Sequence, residues 1–292
     1  MVVHRSRKPV EKEMVGLDPS LVALAILMFG IFAGSLGAML GLGGGVLMII
    51  FLLLALNIPA HQAVALSLIA VIASSSMAGS VYIKDRMTNL RLAMVLEAFT
   101  VSGAVAGAFL ALSLPVSAIQ ALLGCVLFYT SVTMFRERKE ECFESSGSGF
   151  LQGEFYDERA CATVKYEVKN LKLGAVASLI AGAVSGIVGI GGGVIKVPIM
   201  NIVMKIPIKA AAATSNFMVG VTAAASAVIY FQSGLVDLHL AAPTILGIMV
   251  GAYIGTRLLA KSKSVVLRRL LAVVLAFFGM ILLLKAGGLL AW

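Results

Sequence analysis

Apolar residues dominate this chain in long runs, and polar residues fall at regular breaks between them. Runs at about 20–40, 45–57, 62–83, 92–112 and 116–135 are separated by a glycine run, by Asn57-Ile58-Pro59, by Lys84 to Arg91 and by Ser113 to Val116. After a polar stretch the pattern returns at about 173–188, 193–204, 209–231, 240–260 and 266–288. Residues 19–83 and 98–135 contain no Asp, Glu, Lys or Arg. Apolar runs of 18 or more residues predict transmembrane helices, so the expected fold is an all-α polytopic membrane protein. The segments at 45–57 and 193–204 are shorter. At about 1.5 Å per residue they cover about 20 Å, less than a hydrocarbon core of about 30 Å. They are expected to be broken half-helices that begin near mid-membrane.

The two halves are copies. Gly41-Leu42-Gly43-Gly44-Gly45-Val46 recurs 148 residues later as Gly189-Ile190-Gly191-Gly192-Gly193-Val194. At the same offset Gly34 falls on Gly182, Pro59 on Pro207, Ser67 on Ser215, Tyr82 on Tyr230, Gly103 on Gly251 and Gly107 on Gly255. Membrane duplications of this kind occur mostly in transporters. The expected organisation is a leader at 1–19, a first membrane repeat at 20–135, a linker at 136–172 and a second repeat at 173–292. Within the linker, Glu154-Phe155-Tyr156 and Thr163 to Val168 alternate as a half-exposed β-hairpin would.

Composition agrees: 60% of residues are hydrophobic and 13% charged, against about 25% charged in soluble domains. The net charge of +9 therefore reports orientation, not nucleic-acid binding. Five segments per half is an odd number, so the second repeat enters from the opposite side as an inverted repeat. With both termini outside, the loops at 84–91, 136–172, 205–209 and 257–269 lie in the cytoplasm and hold 17 of the 23 basic residues. That arrangement follows the bias of Lys and Arg toward cytoplasmic loops and predicts a multi-pass inner-membrane protein. Cys125, Cys142 and Cys161 form neither a disulfide framework nor a metal pattern. Cys125 is expected to pack inside its helix, and no metal or cofactor is expected.

Candidate chemistry gathers at the glycine runs. A helix that starts after uncovered backbone amides suits an anion, which makes Gly43, Gly44, Gly45, Gly191, Gly192 and Gly193 candidate substrate-binding residues. The alternative is that these glycines only permit close helix packing. Lys196, whose repeat mate is Met48, is an intramembrane cation that would add a full charge to the second site. From the sequence alone, Lys196→Met is expected to remove anion binding and spare the fold. Thr214, Ser215 and Asn216, together with Ser67, offer hydroxyls and an amide to oxyanion oxygens; capping a helix is the other reading. Glu97 is a candidate for proton coupling, with pairing to interfacial Arg91 or Lys84 as the expected alternative. His61 is expected to be solvated, Tyr82 and Tyr230 to lie in the interfacial aromatic belt, and Gly103, Gly107, Gly251 and Gly255 to pack helices.

On Gly41 to Gly45, Gly189 to Gly193, Val197-Pro198 and Ala213-Thr214-Ser215, the chain resembles the sulfite exporter TauE/SafE family of membrane transporters. The resemblance covers nearly everything outside the leader and the linker. The first repeat departs from the pattern, with Ile50 in place of the Pro and Leu66-Ser67 in place of Thr-Ser. The resemblance implies a secondary transporter of small sulfur-containing anions, such as sulfite and sulfonates, with no enzymatic activity. A passive anion channel and a membrane-embedded assembly or redox factor are the alternatives. The expected partners are a small anionic substrate, the lipid bilayer and a coupling proton or ion. Homo-oligomers are compatible with the pattern, and nucleic acid is not expected.

Overall fold

In the computed structural model, residues 18–135, 152–157, 162–261 and 264–286 are described. The N-terminal leader up to residue 17 and the segment holding Cys142 and Cys161 lie outside them. Ten helices among the described residues run in chain order: α1 Pro19–Leu40, α2 Gly45–Leu54, α3 Ala60–Lys84, α4 Leu90–Ser113, α5 Val116–Phe135, α6 Leu171–Val188, α7 Gly193–Ile202, α8 Ile208–Gln232, α9 Leu238–Lys261 and α10 Ser264–Ala286. Seven helices among the described residues are long and apolar enough to cross a membrane. The protein is an all-α multi-pass membrane protein.

Local chemistry sets the helix ends. Pro59 and Pro207 stand at the N-caps of α3 and α8 with nearly identical backbone angles, φ −53° in both; a fixed φ suits a helix start. At α4 the Asn89 side chain accepts a hydrogen bond from the Leu92 amide at 3.1 Å, which caps one orphan donor. Large apolar side chains such as Leu24, Met28, Phe32, Met94 and Phe109 are exposed on the outer helix faces, the arrangement expected where lipid, not water, is the solvent.

Packing follows the duplication with the partners exchanged. α1, α2, α3 and α9 form one group, and α6, α7, α8 and α4 form the equivalent group, so each takes its fourth helix from the other half. α3 and α8 join the two groups, and α5 pairs with α10. A β-carbon on Gly103 or Gly107 would fall on the carbonyl oxygen of Leu179 or Ala183; one on Gly251 or Gly255 would fall on that of Ile31 or Ser35. Each of these contacts is the other's image 148 positions along. Backbones that approach this closely require glycine at the crossing. Between the equivalent helices α5 and α10, Ser131 Oγ donates to Ala272 O at 2.7 Å, while Gly124 lies against Gly279 and Leu283. The residue order is reversed across that pair, so α5 and α10 run antiparallel.

Three expectations change. Tyr82 and Tyr230 are not belt residues: they are 1% and 0% exposed, and their hydroxyls donate to Ala38 O and Gly186 O, both at 3.0 Å. A phenol that reaches a free carbonyl can be buried along its whole length. His61 is half-buried with a ring nitrogen 3.2 Å from Ala111 O, not solvated. Cys125 is exposed and does not pack inside its helix.

A two-stranded antiparallel hairpin, β1 Gly153–Asp157 and β2 Ala162–Tyr166, lies against one end of the second group. Phe155 and Tyr166 are buried with Leu92, Leu96, Met200, Met204 and Met218, while Glu154 and Lys165 point outward. Burial pushes the Tyr166 phenol up to about 12, against the opposing effect of its hydrogen bond with the Asn89 side chain. A polar cavity of about 250 Å³ opens between this hairpin and the α3–α4 connection, lined by Thr88, Asn89, Arg91, Gln152, Glu154 and Tyr166 among others.

Candidate functional site

Each glycine run closes one helix and opens a short one. Gly41 caps α1 with φ 75°, and its amide donates to Gly37 O. Gly43 and Gly44 are also left-handed, and α2 begins at Gly45. The second run repeats this at Gly189, Gly191 and Gly192, with φ of 78°, 71° and 78°, before α7 begins at Gly193. Three left-handed residues in four would be strained with any β-carbon. Helices α2 and α7 have ten residues each, about 15 Å. Both are too short to cross a hydrocarbon core of about 30 Å.

The two loops lie against one another. Gly41 to Gly45 and Gly189 to Gly193 are all buried. A β-carbon on Gly43 would be 2.9 Å from Val219 and 3.3 Å from Val71; one on Gly191 would press on the same two side chains. Val71 and Val219 are themselves repeat mates. Two serines tie the loops crosswise: Ser67 Oγ donates to Gly189 O at 2.7 Å, and Ser215 Oγ donates to Gly41 O at 3.1 Å. Each half thus holds the other half's loop.

The neighbours of Ser215 also bond to backbone. Thr214 Oγ1 accepts from the Asn89 amide at 3.1 Å, and Asn216 Nδ2 donates to Ala38 O at 3.0 Å. The Asn216 backbone carbonyl accepts from Ser75 Oγ. Sequence reasoning offered Ser67, Thr214, Ser215 and Asn216 to an anion. The structure sets them around the loops with much of their bonding capacity spent on main chain. Three buried side-chain atoms, Ser74 Oγ, Ser185 Oγ and Asn216 Oδ1, have no partner within the described chain. Ser185 matters most here. Its β-carbon lies 3.3 Å from where a Gly192 side chain would begin, and Lys196 Cε lies 3.5 Å from the same point. A partnerless hydroxyl, a glycine loop, a helix start and a lysine stem converge there.

Lys196, the fourth residue of α7, is 2% exposed. Its Nζ lies 3.4 Å from Glu97 Oε2 and donates to Thr222 Oγ1 at 2.9 Å; Thr222 Oγ1 lies 2.6 Å from Glu97 Oε1. Glu97, expected to pair at the interface with Arg91 or Lys84, instead finds its cation in the buried Lys196 of α7. An ion pair removed from solvent needs such a partner and further hydrogen bonds to be tolerable. Thr222 was not singled out from the sequence. The equivalent positions in the other group are Ile245, Met48 and Ser74, so the ion pair occurs in one group alone.

Comparison with known proteins follows the same extent. A family model described as sulfite exporter TauE/SafE matches residues 26–282. The probable membrane transporter protein YunE of Bacillus subtilis (strain 168) is 23% identical over 267 residues, covering 89% of this chain and 96% of that protein. The probable membrane transporter protein YdhB of the same organism is 24% identical over 270 residues, covering 90% and 99%. The probable membrane transporter protein MamO of Paramagnetospirillum magneticum (strain ATCC 700264 / AMB-1) is 27% identical over 252 residues, 80% of this chain but 39% of that one. No solved structure matches.

Proposed function

This chain belongs to the sulfite exporter TauE/SafE family of membrane transporters, and from that membership we propose that it is a secondary transporter of small sulfur-containing anions, sulfite or sulfonates, working by alternating access. The observation that carries the reading is the pair of buried glycine loops, each opening a short helix and each gripped by a serine of the opposite half. Helix starts attract negative charge through their unpaired amides and dipole. The substrate binds at Gly43 to Gly45 and Gly191 to Gly193, with Ser185 and the positive charge of Lys196 on one side. Ser67 and Ser215 hold the loops in place, Asn216 Nδ2 holds the last turn of α1 and Thr214 the start of α4, and Asn216 Oδ1 stays free to accept from a protonated ligand or water.

The antiparallel pairing of α5 with α10 and the exchanged packing of α1 with α9 and α4 with α6 support two halves that face the membrane in opposite senses. Such a pair is bistable: rocking one group against the other about the α3–α8 contact would open the loops first to one side and then to the other. The orientation follows the basic loops, with both termini outside, the linker in the cytoplasm and the inner cell membrane as the site.

A ligand that binds only the folded protein raises its melting temperature. Purified protein is expected to be stabilised by sulfite or a sulfonate, and less by phosphate or chloride at equal concentration. Stabilisation by cations or neutral solutes in place of any anion would overturn the helix-start site.

A further inference from the structure

Resting on the anion reading, we propose that Glu97, Lys196 and Thr222 form a counter-charge exchanger that takes up one proton with each anion, making transport an electroneutral cotransport of a proton and a monovalent anion. The argument is one of charge at a site closed to water. Lys196 is 2% exposed and Glu97 7%, and an unbalanced charge in such a place is strongly disfavoured. With Glu97 ionised and no anion, the site is neutral. An anion added beside ionised Glu97 leaves a net negative charge. A proton added to Glu97 without an anion leaves Lys196 unbalanced. Proton and anion together restore neutrality, with the anion in the place of the carboxylate. Only the empty and the doubly loaded states are cheap, so each ligand favours the other reciprocally.

The hydrogen bonds provide the switch. While Glu97 is ionised, Thr222 Oγ1 accepts from Lys196 Nζ and donates to Glu97 Oε1. When a proton from water forms an O–H bond on Glu97, that hydroxyl donates to Thr222 Oγ1, and Thr222 turns its own proton to Met218 O, 3.0 Å away. Lys196 loses its ionic partner and keeps a stem that lies beside Gly192 and the partnerless Ser185 hydroxyl. An anion at the start of α7 is then its nearest replacement.

Other charged groups are badly placed to interfere. Of the elements packed on α4, α6 brings Lys172 near its start, α8 brings Lys209 near its start and Tyr230 near its end, and the hairpin brings Glu154, Lys165 and Tyr166. α4 itself brings Arg91 in its exposed first turn. Among the described residues, the cation within 4 Å of the Glu97 carboxylate is Lys196, at 3.4 Å. Ile245, Met48 and Ser74 at the equivalent positions offer no second exchanger, which sets the stoichiometry at one proton.

The test uses the full-length protein in detergent and methanesulfonate, whose charge is constant with pH. Binding is measured by calorimetry in buffers of different ionisation heat, which counts protons taken up. Over the pH range in which Glu97 of the empty site is ionised, the wild type is expected to absorb close to one proton per anion and to lose affinity by about tenfold per pH unit. Glu97→Gln, which keeps the shape and the Thr222 contact while mimicking the protonated acid, is expected to bind the anion with no proton uptake and no pH slope. Binding by the wild type with a flat pH profile and no proton uptake would overturn the exchanger and leave the anion reading standing. So would a Glu97→Gln protein that keeps the wild-type slope. Absence of methanesulfonate binding at every pH would overturn both the sulfonate reading and the exchanger.

Discussion

Replacing Lys196 with Met is expected to destabilise the protein by about 3–5 kcal/mol, the usual cost of removing one partner from a buried ion pair. At a pH that keeps Glu97 ionised, its charge would be stranded in an environment that excludes water, with the Thr222 hydroxyl as its hydrogen-bond partner among the described residues; at lower pH it takes up a proton and the cost falls. The sequence alone suggested that this substitution would spare the fold; the contact at 3.4 Å says otherwise. Adding Glu97→Gln removes the stranded charge, and a buried pair replaced by neutral groups is often no less stable than the original. The double variant should therefore recover most of the loss in thermal or denaturant unfolding while failing to bind an anion. Equal stability of single and double variants at a pH high enough to keep Glu97 ionised would mean that the two side chains are not coupled.

Gly103→Ala and Gly251→Ala are each expected to cost about 3 kcal/mol, at the upper end of overpacking penalties. The added methyl group at Gly103 would fall on Leu179 O with Ala183 N 2.9 Å away, and at Gly251 on Ile31 O with the Ile31 carbonyl carbon 2.7 Å away. Backbone cannot retreat as a side-chain tip can, so the helices must separate. Because the two crossings are images of one another, the losses should be similar. Gly79→Ala is the control: its methyl group would meet Phe217 at an ordinary 3.7 Å, and melting should change little. A silent Gly103→Ala would mean that α4 and α6 do not pack through this face.

How much of this was legible follows from where the information lies. Helix number and position could be read because the bilayer demands long apolar runs, and because Pro59, Pro207 and the glycine runs punctuate them locally. The exchanged packing could not be read from periodicity: nothing within α4 says that Gly103 meets Leu179 of the other half. Tyr82 and Tyr230 misled because a tyrosine at a helix end looks the same whether its hydroxyl reaches water or, as here, a carbonyl 44 residues away. The ion pair had a signal that went unused. Glu97 and Lys196 are opposite charges at membrane depth whose mates, Ile245 and Met48, are apolar, and two unmatched charges in a duplicated chain point to each other. Thr222 carried no such mark, since its mate Ser74 is also a hydroxyl. The crossed serine bonds were hidden for a further reason: Ser67 and Ser215 each bond to main chain, and any residue could have supplied that carbonyl.

The central claim, that the chain is a carrier and that its cargo is a small sulfur-containing anion, is most directly tested by counterflow in proteoliposomes. Vesicles holding purified protein are preloaded with unlabelled sulfite or methanesulfonate and diluted into a trace of labelled anion. Alternating access predicts saturable uptake that is accelerated by the anion inside, and slower uptake when the vesicles are empty. Flux that rises linearly with concentration and ignores the internal anion, or the absence of flux for any sulfur anion in folded protein, would contradict it.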